Sequence, residues 1–335
     1  MENLKKNIPL TSAEISSLWT SYQNETMTIC GLKYFLQHVD DDQIQSILEQ
    51  VLAVSEENKS KLTNFFNAEN YPIPHGYTEK DIDLQAPRLF ADKLYLEYML
   101  NLTILLLAAY GTALGLAERT DVIKYYSNCL NTTQELHSKI KEMSKEKGIY
   151  LRSPKIPKPR QIDFVKKQKF LTGWFGDRRP LLGIEIANLV FHAKRNALGQ
   201  AVIAGFSQVA KSKEARRYFE RGRDISGKHV NIFTSILHEE YLSNGTLILL
   251  SEVTDSTVPP FSDKLMMSLV TLLTASGIGQ YGMAMSASPR HDLGVHYTRL
   301  IAEIAHYSDD GANIMINNGW LEQPPIAADR KELAD

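Results

Sequence analysis

Glu303 and His306, three residues apart near the end of the chain, are the closest approach in this sequence to a metal-binding element. A carboxylate and an imidazole at i and i+3 share one side of a helix. Bundles that hold two metal ions use such Glu-x-x-His pairs on two helices, with one further glutamate from each of the other two. The apolar stripe around this pair speaks against it, because Leu293, Tyr297, Leu300, Ile304 and Tyr307 mark the inward face. At ~100° per residue, Glu303 lies about 100° from Ile304 and His306 about 160°, so both are expected to point mostly to solvent. Thr132 and Glu135, at the equivalent places of an internal repeat, break the motif as well.

Other polar residues fall nearer to core stripes. Glu185 and His192 flank Leu189, Glu14 sits likewise beside Leu18, and His229 lies between Ile225 and the Ile232–Phe233 pair. Tyr110 and Tyr281 add inward hydroxyls. Glu185, His192 and His229 are therefore the candidate ligands for a single ion, since imidazole and carboxylate suit iron, manganese or zinc. The competing reading, hydrogen-bonded polar residues of the core with no cofactor, is preferred. A full two-metal site needs acidic ligands on the helix running through Leu265 to Ala287, and that stretch contains none. No phosphate-binding glycine loop and no nucleophile elbow occurs. No catalytic residue is assigned, and enzyme activity is not expected.

The elements that hold these residues are written twice. Pro9-Leu10 recurs as Pro180-Leu181, an offset of 171. At that offset Glu14, Ile15 and Leu18 match Glu185, Ile186 and Leu189. Further on, Phe90-x-Asp92-Lys93-Leu94, Tyr110-Gly111-x-Ala113, Arg119-x-Asp121 and Tyr126 return as Phe261-x-Asp263-Lys264-Leu265, Tyr281-Gly282-x-Ala284, Arg290-x-Asp292 and Tyr297. A register kept without a gap over such a distance is an internal duplication.

Each copy predicts four long helices. Thr11-x-x-Glu14 is a capping-box start for the first, and Ile44, Ile47, Leu48, Val51, Leu62, Phe65 and Phe66 form the stripe of a second, from about Asp41 to Ala68. Pro72, Pro74 and Gly76 break that pattern, and the third helix is expected to open near Pro87. A helix of about 28 residues is ~42 Å long, whereas about 20 extended residues reach ~66 Å. The connection can thus return along the bundle, which is the ferritin-like arrangement. In the second copy Ser288-Pro289 reads as a cap and first-turn proline for the last helix. The fold expected is all-α, two tandem ferritin-like four-helix bundles, with domains at 1–152 and 181–335 joined by a linker at 153–180.

That linker carries Lys155, Lys158, Arg160, Lys166, Lys167 and Lys169, followed by Phe170, Trp174 and Phe175, which are expected to anchor it. A formal net charge of -2 over 335 residues gives no overall pull toward nucleic acid, and none is expected as a partner. Cys30 and Cys129 have no paired spacing, and the N-terminus lacks an export-type apolar run, so a cytoplasmic location is expected. Met99 to Ala117 and Leu265 to Ala287 are uncharged and long enough to span a bilayer, yet they contain Asn101, Thr103, Ser268, Thr271 and Gln280. They are read as the most buried helices of their bundles, not as membrane spans. Paired Asp92-Lys93, Asp263-Lys264 and the two Arg-x-Asp motifs are read as helix-end and inter-helix ion pairs.

Phe-x-Asp-Lys-Leu, Tyr-Gly and Arg-x-Asp in each copy, with Gly173-Trp174-Phe175-Gly176-Asp177-Arg178-Arg179-Pro180-Leu181 between them, resemble an uncharacterised family of endospore-forming bacteria. Its members carry one or two ferritin-like bundles, and some bear a spore-coat label. The resemblance covers nearly the whole chain and implies the fold more strongly than any activity. It implies a structural or interaction protein of the sporulating cell, in the mother cell or the spore coat, working through protein partners or self-association. A metal- or small-ligand-binding bundle is the alternative.

Overall fold

The computed structural model describes residues 8–173, 178–242 and 247–331. Among them are eight α-helices: α1 (Ser12–Leu36), α2 (Asp42–Ala68), α3 (Asp92–Leu116), α4 (Thr120–Glu146), α5 (Gly183–Val209), α6 (Lys213–Glu239), α7 (Asp263–Ser286) and α8 (His291–Asn317). The chain forms two compact units, one of 1–85, 95–146 and 319–335, the other of 86–94 and 147–318. Their edges differ from the sequence boundaries, because residues 86–94 belong to the second unit and the tail after Asn318 to the first.

Local chemistry explains the helix ends. Thr11 forms the expected capping box, accepting from the Glu14 amide at 3.2 Å while the Glu14 carboxylate accepts the Thr11 amide at 2.8 Å. Asp41 caps α2 in the same role. For α8 the expectation fails. The helix opens two residues past the predicted Ser288-Pro289 start, with Arg290 as its N-cap, and the buried Ser288 hydroxyl has no hydrogen-bond partner. Arg290 takes the cap position because its backbone amide donates to the Glu185 carboxylate and its guanidinium is held in the ion pairs described below. In the linker, the Arg179 guanidinium lies 4.4 Å over the Phe170 ring, whereas the proposed anchors Trp174 and Phe175 lie outside the described residues.

Within the first unit Glu322 closes the α2–α3 connection, accepting from the Gln23 side chain at 2.6 Å and from the His75 and Gly76 amides at 2.7 and 3.1 Å. Gly76 has φ +61, and a Cβ there would stand 2.6 Å from the Thr26 hydroxyl, so the turn requires glycine. In the second unit residues 88–91 run beside 252–254, with Ala91 donating to the Glu252 carbonyl at 2.9 Å and Thr254 to the Leu89 carbonyl at 3.0 Å.

The two cores reach close packing by different volumes. In the second unit Tyr218 and Tyr307 stack at 4.1 Å between ring centres, and each hydroxyl lies over a glycine of the facing helix, Tyr307 over Gly222 and Tyr218 over Gly311. The equivalent buried residues of the first unit are Ile47, Val51, Leu136 and Ile140. Two large and two absent side chains replace four of medium size, as a dense interior demands.

The third helices are not the fully buried members that their composition suggests. On α3, Leu94, Leu102, Tyr110 and Ala113 are buried, but Ala108, Ala109, Gly111, Thr112 and Gly115 are exposed. On α7 the face of Ala275, Gly279, Met283 and Ser286 is open too. By length and composition α3 could also cross a membrane, and 39% of its most apolar window is buried. Most of the open positions carry small side chains, which leave little apolar area in water, but Leu116 on α3 and Met283 on α7 are 55% and 71% exposed.

Candidate functional site

A polar network crosses the middle of the second unit, with one group from each helix: Asn196 on α5, His229 on α6, Tyr281 on α7 and Glu303 on α8. Asn196 donates to the Tyr281 hydroxyl at 2.7 Å, and that hydroxyl lies 3.0 Å from His229 Nδ1. Having accepted from Asn196, Tyr281 donates to Nδ1, which leaves the His229 proton on Nε2, 3.1 Å from the Glu303 carboxylate. Lys228 holds the same carboxylate at 2.7 Å. His229 is fully buried, and burial together with Lys228 and Arg299 keeps its pKa below the ordinary value although Glu303 pulls the other way. Burial alone would raise the Glu303 pKa, but the bonds from Lys228 and His229 hold it below its ordinary value.

Glu303 therefore does not point mostly to solvent as its helical angle predicts. It lies on the shoulder of α8, and its three-bond side chain turns back to reach His229. His306 remains exposed.

The first unit builds the same layer with the carboxylate on the opposite side. Asn58 donates to Glu25 Oε1 at 2.9 Å and Tyr110 donates to the same oxygen at 2.8 Å. Cys129 Sγ lies 3.8 Å from Asn58 Oδ1. Burial raises the Glu25 pKa, against hydrogen bonds from Tyr110, Asn58 and Ser55. At the offset of 171, Glu25 matches Asn196 and Thr132 matches Glu303. The acid has moved from the first helix of one copy to the fourth helix of the other. Neither Glu25 nor Asn196 stood out in the sequence reading, although Glu25 lies midway between Leu18 and Leu32 on one stripe. That position was the available signal.

The three candidate ligands are not gathered at one point. Both histidines lie in one aromatic cluster, since His192 packs 5.5 Å from Phe233 and 4.7 Å from Tyr281, and His229 packs 6.5 and 5.8 Å from the same rings. Burial, and secondarily Arg195, lowers the His192 pKa to about 3, so the ring is neutral. Glu185 is engaged elsewhere. Arg179 holds both its oxygens at 2.8 Å, and it also accepts the Leu182 amide at 2.8 Å and the Arg290 amide at 3.3 Å. Among the described residues no group of three or more His, Cys, Asp or Glu side chains is placed to hold a metal ion.

That end of the unit repeats faithfully. Arg290 forms a two-pronged bond to Asp292, both at 2.9 Å, reaches Glu240 at 2.7 Å and donates to the Arg179 carbonyl at 3.3 Å. In the first unit Arg119 grips Asp121, both at 2.8 Å, pairs with Glu69 and donates to the Ile8 carbonyl at 3.2 Å. The Arg-x-Asp motifs are helix-end and inter-helix ion pairs, as their positions suggest.

A family model described as "Protein of unknown function (DUF3231)" matches residues 1–162 and again residues 169–333. No curated protein matches the chain. Among solved structures, a crystal structure described as a "putative spore coat protein" from Bacillus halodurans is similar at 19% identity, with a TM-score of 0.40. That similarity covers 48% of this chain and 99% of the other.

Proposed function

The chain belongs to the DUF3231 family of proteins of unknown function, and from that premise we propose that it is a non-enzymatic structural or interaction protein of the sporulating cell. It acts through contacts with protein partners or with further copies of itself, in the mother-cell cytoplasm or the spore coat. Each half is read as a ferritin-like four-helix bundle, supported by the long α2–α3 and α6–α7 connections. The observation that carries the interaction reading is the open face shared by the third helices. Ala108, Gly111 and Gly115 on α3 and Ala275 and Gly279 on α7 are small and uncharged, so another helix backbone can approach closely. Sedimentation velocity of the full chain tests it. Self-association that is lost in an Ala108→Glu, Ala275→Glu double variant is expected, whereas a monomer with or without the substitutions, retaining no partner in cross-linking from sporulating cells, removes the reading. Recovery of the chain in the membrane pellet without detergent would assign the open face of α3 to lipid. A fluorescent fusion that stays diffuse in vegetative cells and is absent from spores removes the coat assignment.

A second reading, a metal- or small-ligand-binding core in the second unit, is favoured by one observation: His192 and His229 are both held neutral beside Tyr281. Metal analysis of the untagged protein decides it. Stoichiometric iron, manganese or zinc that disappears in His229→Ala supports this reading, and metal-free protein dismisses it.

A further inference from the structure

Each unit has a cleft at the same place in its copy of the fold, between the second and fourth helices. In the second unit it is an open cleft of about 520 Å³, with Lys228, Asn231, Ser235 and Glu239 from α6, His296 and Arg299 from α8, and Arg178 at its edge. The cleft of the first unit, about 370 Å³ between α2 and α4, is lined at matching positions by Asn64, Tyr125 and Asn128, which correspond to Ser235, His296 and Arg299. Both volumes fall in the range of small-ligand pockets.

The lining is cationic in a chain whose net charge is -2. In the second cleft Arg178, Lys228 and Arg299 face Glu239, which Arg178 holds at 3.0 Å, and Asp292, whose carboxylate is gripped by Arg290. Arg299 is exposed and has no carboxylate partner among the described residues. Ile232 and Ile236 supply an apolar floor, and Asn231 and Ser235 supply hydrogen-bonding groups. The first cleft is cationic through different residues. Lys61, paired with Glu57 at 2.7 Å, and Lys124 stand where the second copy has Ile232 and Val295, and the acid in the lining, Asp121, is gripped by Arg119. Positive charge thus recurs at one site of the fold without being inherited residue by residue.

We propose that the cleft between α6 and α8 binds the phosphate group of a small soluble organic phosphate, with Arg178, Lys228 and Arg299 as its cationic contacts. Arg299 offers its guanidinium directly, and Arg178 and Lys228, now paired with Glu239 and Glu303, can turn to a dianion whose several acceptor oxygens and double charge outcompete a single carboxylate. The isoleucine floor takes the organic part. Lys228 also holds Glu303, so the bound anion competes with the carboxylate that steadies His229, and ligand binding is communicated to the buried network.

Calorimetric titration of the full chain with adenosine 5'-monophosphate, and separately with pyrophosphate, tests the assignment. Arg299→Ala is the primary variant, because it breaks no ion pair, and Arg221→Ala, an exposed arginine paired with Asp310, is the control. Saturable binding that weakens about tenfold in Arg299→Ala, with the control unchanged, is the expected result; tenfold corresponds to the loss of one charge-assisted contact. Absence of binding at millimolar probe, equal weakening in the control, or binding confined to phosphatidylglycerol-containing vesicles would each overturn it.

Discussion

His229 and Glu303 meet at 3.1 Å across the second unit and do there what Asn58 and Glu25 do across the first, with the acid on the other side of the layer. The difference is chemical as well as geometric. Glu25 is 4% exposed and meets only neutral donors, whereas Glu303 sits at the edge of its unit beside Lys228. One carboxyl is pushed up and the other held down.

Glu25 destabilises its unit as pH rises. Its folded pKa is raised, so its contribution is fully present below the ordinary carboxyl value and is lost as pH climbs through the folded value. Glu25→Gln keeps an acceptor for Asn58 and Tyr110 without the buried charge. Denaturant melts should show the variant more stable than the parent at pH 8, with the gap closing below about pH 4.5. A variant less stable at every pH would refute this.

His192 works in the opposite direction. Its folded pKa of about 3 lies below the ordinary histidine value, so its contribution is present above about pH 6.5 and is lost as pH falls toward 3. The full shift corresponds to a loss on the order of 5 kcal/mol. In thermal melts between pH 7 and 4, His192→Leu should lose much of this acid sensitivity, and an unchanged slope would place it at His229 or elsewhere.

The two arginine clamps look alike but differ in burial. The Arg290 side chain is 1% exposed and its Asp292 partner 6%, whereas Asp121 is 53% exposed beside Arg119. Arg290→Met, which leaves the buried Asp292 carboxylate without its cation, should cost about 3 to 5 kcal/mol, and Arg119→Met about 1 kcal/mol. Equal losses in urea titrations would contradict the assignment.

Gly222 and Tyr307 are complementary in volume. A Cβ on Gly222 would stand 2.1 Å from the Tyr307 hydroxyl, so Gly222→Val alone should cost about 3 kcal/mol or more. Installing the whole set of the first unit, Tyr218→Ile, Gly222→Val, Tyr307→Leu and Gly311→Ile, should return stability to within about 2 kcal/mol of the parent. Calorimetry of both variants checks this, and a quadruple variant no better than the single one would defeat it.

The sequence by itself determined the duplication, the all-helical class, the capping box at Thr11 and the inward placement of His229. These follow from periodicity and local backbone chemistry, which act over a few residues. It also marked both Arg-x-Asp motifs as ion pairs at helix ends. Only the tertiary structure decided that Glu185 belongs to Arg179, that Glu303 turns back to His229, and that the carboxylate changed helices between Glu25 and Glu303. A helical angle fixes where a Cα lies, but a long charged side chain chooses among partners on neighbouring helices. The same holds for the open faces of α3 and α7: composition sets how apolar a helix is, whereas packing sets which side of it meets water.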